Sequence, residues 1–184
     1  MSQIPNTSND ALVSRESYLR ALRRVASSVA VVTTNGPAGR HGATVSAFSS
    51  VSADPPTVLV CLRSDSRIAR AVAQNKKLCV NVLSEERSDI ANRFAGRDDG
   101  SLHDRFTGID VCDVQDEPPE IDGSTTFSGR VVSAVTSGSH IIFICEVGMV
   151  HEGDNSPLTY LNGAYHFVTP HATLPHDSQI CRSV

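Results

Sequence analysis

The sequence predicts a mainly β domain, an antiparallel barrel with helices on its periphery. Short runs rich in Val, Ile and Thr recur at close spacing, and turn residues such as Asn35-Gly36, Asp54-Pro55-Pro56 and Ser137-Gly138 punctuate them. Only three stretches carry helical periodicity. No Gly-x-Gly-x-x-Gly joins a strand to a helix, so a parallel dinucleotide-binding sheet is unsupported.

Composition fits one such domain. With 184 residues, 40% hydrophobic and 20% charged side chains, 12 glycines and 9 prolines, the chain is neither disordered, nor collagen-like, nor a disulfide miniprotein. We expect a flexible arm over 1–13, a domain over 14–169 and a polar tail over 170–184. The net charge of −4 comes with scattered Lys and Arg, which excludes a nucleic-acid footprint. Apolar runs such as 58–62 and 141–145 fall far short of the ~18 residues of a membrane span, and the start lacks a signal pattern. A cytoplasmic location without membrane contact is expected. Five cysteines form no Cys-x-x-Cys pair, which argues against a disulfide framework or a zinc site and suits a reducing compartment. Cys61, Cys79 and Cys145 lie in apolar runs and read as buried, inert thiols.

In chain order, Ser14 caps a helix with Tyr18, Leu19, Leu22, Val25 and Ala26 on one face. A strand over 29–34 and a second over 42–53 form a hairpin around the turn at 35–39. A buried strand follows over 57–62, and Ser66 caps a helix that aligns Ile68, Ala71 and Val72. After a strand over 78–83, Ser84 caps a helix with Ile90, Ala91 and Phe94, which Gly96 ends. Residues 97–119 form a surface loop. Strands over 125–136, 139–150 and 165–168 complete the domain, with Phe127, Phe143 and Phe167 in the core.

Two segments point to a ligand. Along a regular strand, Thr44, Ser46, Phe48, Ser50 and Ser52 share one face, opposite Val45, Ala47, Ser49 and Val51. Buried hydroxyls without partners cost about 1–3 kcal/mol each, so this ladder suits a planar ligand rich in acceptors, or a phosphate; a serine-rich edge strand explains it as well. Where the buried strand meets the next helix, Arg63, Ser64, Ser66 and Arg67 collect hydroxyls and guanidinium groups at a helix N-terminus. That makes an anion site, or simple capping with solvated arginines. The histidines show no metal-ligand spacing and no metal is expected; His41, beside the hydroxyl strand, reads as an exposed turn residue.

The ordered set Thr44-x-Ser46-x-Phe48-x-Ser50-Val51-Ser52, Asp54-Pro55-Pro56, Val80-Asn81-Val82-Leu83-Ser84, Arg93-Phe94-Ala95-Gly96, Gly138-Ser139-His140, Glu146-Val147 and Pro157-Leu158-x-Tyr160 resembles the short-chain flavin reductases. The likeness runs from about residue 18 to 167. It implies an antiparallel split β-barrel of the FMN-binding type, paired as a homodimer. It further implies that NADH, with NADPH possible, reduces FAD or FMN by hydride transfer, and that reduced flavin diffuses to a flavin-dependent monooxygenase component. By position, Thr44, Ser46, Ala47 and Ser52 would contact the isoalloxazine and its chain; Ser64, Ser66 and Arg67 the phosphate; and Asn81 the ring or ribityl region. Phe94 and Gly96 would border the adenine or phosphate side, and His140 would meet the nicotinamide as the catalytic residue. Two positions depart from the pattern: Ser139 stands where the family commonly has Asp, and Arg87 where it commonly has a nearby Gln. A flavin carrier without nicotinamide turnover, or a split-barrel oxidase of a small organic substrate, are the alternatives on the same barrel.

Overall fold

The computed structural model describes residues 12–97, 99–100, 104–153 and 155–171, and every structural statement concerns these. The expected arm and tail lie outside them except for 12–13 and 170–171, as do His103, His176 and Cys181. The elements are α1 (Arg15–Leu22), β1 (Ser27–Ser28), β2 (Ala30–Thr34), β3 (His41–Val45), β4 (Phe48–Ala53), β5 (Pro56–Arg63), α2 (Arg67–Asn75), β6 (Lys77–Val82), α3 (Ser88–Phe94), β7 (Val111–Cys112), β8 (Glu120–Ile121), β9 (Thr125–Ser137), β10 (His140–His151), β11 (Thr159–Leu161) and β12 (Ala164–His166).

Seven strands form one antiparallel sheet in the order β3-β2-β6-β9-β10-β5-β4. Its two edge strands, β3 and β4, are consecutive in the chain, with only Ser46 and Ala47 between them. Three Cα steps of ~3.8 Å span at most about 11 Å, so the sheet has to curl until its edges meet. The Cys61 N–H, which donates to the Ala47 carbonyl at 3.0 Å, extends the β4–β5 ladder one residue into that link. The result is an antiparallel barrel split between β3 and β4.

The barrel interior is filled by alternate residues of the long strands: Ala30 and Val32, Val58, Val60 and Leu62, Leu78 and Val80, and Phe143 and Cys145. α2 closes one end with Ile68, Ala69 and Val72. β2 is buried on both faces, because Val31 and its neighbour Val29 turn outward into a second cluster with Ile90, Ala91 and Phe94 of α3, plus Phe106, Ile121 and Leu158. That second cluster ties the 104–121 segment and α3 onto the outside of the barrel. Burial pushes the Cys79 thiol far above its ordinary range and Cys145 to about 11, so both are inert core groups; Cys61 is only half-buried.

Several expectations are corrected. The strand expected over 42–53 is two strands, because Val45 and Phe48 both face the barrel core although three positions apart, so the alternation changes phase at Ser46–Ala47. A bulge between Ser50 and Ser52 shifts it again. The single hydroxyl face does not exist. Ser84 does not cap α3: it bridges to Pro157, and Arg87 takes the cap position without a side-chain bond. α1 stops at Leu22 and buries no residue. Phe167 is 73% exposed rather than core. His41 is half-buried at the start of β3, not an exposed turn residue.

Candidate functional site

The first turn of α2 leaves the amides of Arg67 and Ile68 without intrahelical partners. Ser66 caps the helix: its Oγ accepts from the Ala69 N–H at 3.2 Å and donates to the Arg63 carbonyl at 2.6 Å. A groove of about 670 Å³ opens in front of this turn. One wall is Ser66, Arg67 and Ile68; the floor is His41, Gly42 and Ala43 of β3; the far wall is Arg40, Asp99, Asp104, Arg105 and Phe106. β3 reaches the groove because Phe94 presses on it from behind: a Cβ on Gly42 would lie 2.5 Å from the Phe94 ring.

Charge on the far wall is paired. Arg40 bonds Asp104 at 2.7 Å and Asp113 at 2.8 Å and lies 4.6 Å over the Phe106 ring. Arg105 grips Asp99 through two bonds and also donates to the Phe94 and Gly42 carbonyls at 2.9 and 3.3 Å. The Arg105 guanidinium holds the Asp99 carboxyl below its usual range, with a smaller contribution from Arg67. Arg63, by contrast, is held in its own turn by Asp65.

His140 does not line the groove; it stands at the end of β5 that leads into α2. β10 starts there, opposite Arg63 of β5, after the turn in which Gly138 takes a φ of +55°. The Ser139 carbonyl accepts from the Ser64 N–H at 3.0 Å and from Ser64 Oγ at 3.2 Å, which anchors the turn to the end of β5. His140 is exposed, and its Nδ1 lies 3.0 Å from Ser139 Oγ.

The expected site residues divide sharply. Ser66 and Arg67 line the groove, Gly96 abuts its Arg105–Asp99 pair, and Ser64 and His140 lie outside it at the end of β5. Ser46 and Ala47 are exposed at the seam. Thr44 points under α3, donating to the Ala91 carbonyl at 2.7 Å, and Ser52 closes the Asp54 turn through bonds of 3.0 and 3.1 Å. Asn81 is corrected: at 0% exposure its amide donates to the Val31 carbonyl and Thr33 Oγ1 and accepts from the Ile121 N–H, so no atom remains for a ligand. Phe94 is corrected too, since at 1% exposure it supports the groove from behind without bordering it. Arg40, Arg105 and Phe106 were missed. Arg105 and Phe106 stood adjacent in an otherwise polar loop, a signal that Arg40 lacked.

A curled antiparallel sheet with a groove between the first turn of α2 and a strand floor has the architecture of a flavin-reductase-type split barrel. A profile of the flavin reductase like domain matches residues 22–169, and the chain belongs to that family. It is 37% identical over 169 residues to the FMN reductase (NADH) RutF of Stutzerimonas stutzeri (strain A1501), a match covering 90% of this chain and 96% of that one. The structure of flavin reductase PheA2 in its native state superposes with a TM-score of 0.76 at 29% identity, covering 86% of this chain and 100% of that one. The styrene monooxygenase flavin reductase of Pseudomonas putida S12 gives a TM-score of 0.73 at 27% identity, over 84% and 98% of the two chains.

Proposed function

We propose that the groove holds the phosphorylated end of a flavin, FMN or FAD, and that the chain reduces this flavin with NADH. The observation that carries the reading is the wall of Ser66, Arg67 and two free helix amides facing a roomy groove. The fit is chemical: a phosphate needs N–H donors and a guanidinium, and Arg67 makes no hydrogen bond or ion pair among the described residues. Its support from relatives is the name of the FMN reductase (NADH) RutF.

Bound together, the two nucleotides supply the redox chemistry themselves, as hydride donor and acceptor. The chain binds, orients and excludes water. Ser66, Arg67 and the α2 amides hold phosphate, while Ser46 and Ala47 lie at the seam where a ring can approach backbone groups. His140 takes the nicotinamide side: with Ser139 donating to Nδ1, Nε2 carries the ring proton and donates to a ligand carbonyl. Ser139 thereby does the orienting work that the family commonly gives to Asp.

Release of reduced flavin to a separate monooxygenase completes the proposal, supported by the styrene monooxygenase component among the similar structures. So does a homodimer. Leu59, Cys61, Ile142 and Ile144 share the outer face of β5 and β10 and are only half-buried, and Val135 beside them is 51% exposed. A second copy covering this face would bury more than ~1,000 Å². The four described cysteines are unpaired, which supports a cytoplasmic location. No helix among the described residues is long and apolar enough to cross a membrane.

Purified protein mixed with NADH and FMN tests the activity. Loss of nicotinamide absorbance matched to flavin reduction is expected; bound yellow colour without NADH loss indicates a carrier, and turnover only with an added organic substrate an oxidase. His140→Ala should raise the NADH KM or lower kcat about tenfold to a hundredfold, with FMN affinity nearly unchanged. Loss of FMN affinity with normal NADH kinetics refutes that role.

A further inference from the structure

The far wall of the groove is placed by side chains rather than by a strand ladder. Between Asp104 and β7 the backbone makes short turns, with the Thr107 N–H bonded to the Asp104 carbonyl at 3.2 Å and the Ile109 N–H to the Phe106 carbonyl at 3.1 Å. Such segments open more easily than paired strands, so their position depends on what grips them. Arg40, just before β3, grips both ends: Nη2 bonds Asp104 at 2.7 Å, Nη1 bonds Asp113 beyond β7 at 2.8 Å, and the guanidinium covers the Phe106 ring between them at 4.6 Å. No other side chain among the described residues bonds both carboxylates. Arg40 also lines the groove, so two roles compete for it: a direct bond to the flavin phosphate, or the fixing of the wall. Both of its terminal nitrogens already face carboxylates, which favours the second.

We propose that Arg40 is a positioning residue: by joining Asp104 and Asp113 across the Phe106 ring it fixes the wall opposite α2, and that fixed wall sets how long a flavin stays in the groove. Two part-exposed ion pairs and one cation–π contact are individually weak, and together they hold the wall closed by about a factor of ten. A weak hold suits a protein that delivers its product by release. That the occupant is a flavin rests on the flavin reductase reading; the joining of the wall does not.

Arg40 and both carboxylates are partly exposed, so replacing them leaves no buried charge. Arg40→Gln should raise the FMN release rate about tenfold, measured by stopped-flow fluorescence. Asp104→Asn combined with Asp113→Asn leaves Arg40 unpaired, while asparagine can keep the bond that Asp104 Oδ1 accepts from the Phe106 N–H. This double variant should also release FMN about tenfold faster. A guanidinium that bound the phosphate directly would act in reverse, because freeing it slows release; slower or unchanged release from the double variant overturns the proposal. Arg40→Lys, which can keep one of the two bonds, should fall between wild type and Arg40→Gln. Hydrogen exchange on the flavin-free protein reads the wall itself: the Thr107 and Ile109 amides should exchange about tenfold faster in Arg40→Gln, while those of β2 and β6 keep their rates. Unchanged exchange at Thr107 and Ile109 overturns the proposal, and so does a uniform rise that includes β2 and β6, which would make Arg40 a general stabiliser. A wild-type protein that binds no FMN refutes the flavin reading instead, and exchange at Thr107 and Ile109 still decides on Arg40.

Discussion

β3 and β4 differ more than their sequences suggest. Both are short, both mix small residues with hydroxyls, and two residues separate them, yet they end on opposite edges of the sheet. Every β3 residue is at least half-buried: Ala43 and Val45 face the barrel core, Thr44 bonds under α3, and Gly42 touches the Phe94 ring. In β4 only Phe48 and Ser52 are sheltered, and Ser49, Ser50 and Val51 are exposed. Residue type does not explain the contrast. What lies over each edge does: α3 and Phe106 cover β3, while nothing among the described residues covers the outer side of β4. The covered strand becomes the groove floor, and the uncovered one keeps an exposed outer face.

Gly42 gives the largest test of that contrast. Its missing side chain leaves room for Phe94, whose ring is locked by burial and by the edge-on Phe106 at 4.9 Å. Gly42→Ala should lower stability by about 3 kcal/mol through overpacking, read as a fall in the urea midpoint. A loss under about 1 kcal/mol would mean that β3 can move away from α3, and the groove floor would then not be rigid. In β4 the corresponding anchor is Phe48, half-buried and 5.6 Å from Phe127. Phe48→Ala should cost about 2 kcal/mol, less than a fully buried aromatic because part of its surface is already wet.

Much of this was legible in the chain. Apolar and β-branched runs bounded by turn residues located β2, β5, β6, β9 and β10, and Ser66 announced the cap of α2. The seam at Ser46–Ala47 was not legible, because a serine and an alanine within a run of serines and small residues carry no distinct break signal; the break is imposed by barrel closure, a property of the whole sheet. Asn81 misled for a related reason. Its amide is satisfied by Val31, Thr33 and Ile121, the last 40 positions away, and nothing local distinguishes such a brace from a ligand contact. Arg40 was invisible as a site residue because its partners Asp104 and Asp113 lie 64 and 73 positions downstream. Gly96 and His140 entered as site candidates only through the order of motifs along the chain.

A smaller effect is expected at Ser52, whose hydroxyl both donates to and accepts from Asp54 in the turn that leads into β5. Ser52→Ala should cost about 1 kcal/mol of stability, a typical net value for hydrogen bonds that water can partly replace. Thermal unfolding measures this directly. If FMN affinity falls at the same time by tenfold or more, Ser52 contacts the flavin chain in addition to closing its turn, and β4 joins the binding surface.

The smallest stability effect belongs to Ser46, and it is the most informative about function. Ser46 is exposed at the seam, and no hydrogen bond from its side chain is found among the described residues. Ser46→Val should therefore change stability by less than about 0.5 kcal/mol, as surface substitutions do. The broken alternation removes the original reason for placing this hydroxyl on a flavin-facing ladder, but leaves it beside β3 where the groove floor ends. If it donates to a flavin ring there, FMN affinity should fall about fivefold, the loss of one hydrogen bond, while NADH kinetics at saturating FMN stay unchanged. Titration of FMN fluorescence against the variant gives the number. An unaltered affinity would place the ring away from the seam and restrict flavin contacts to the covered strand, whereas a fivefold loss would show that the two edge strands meet on one ligand.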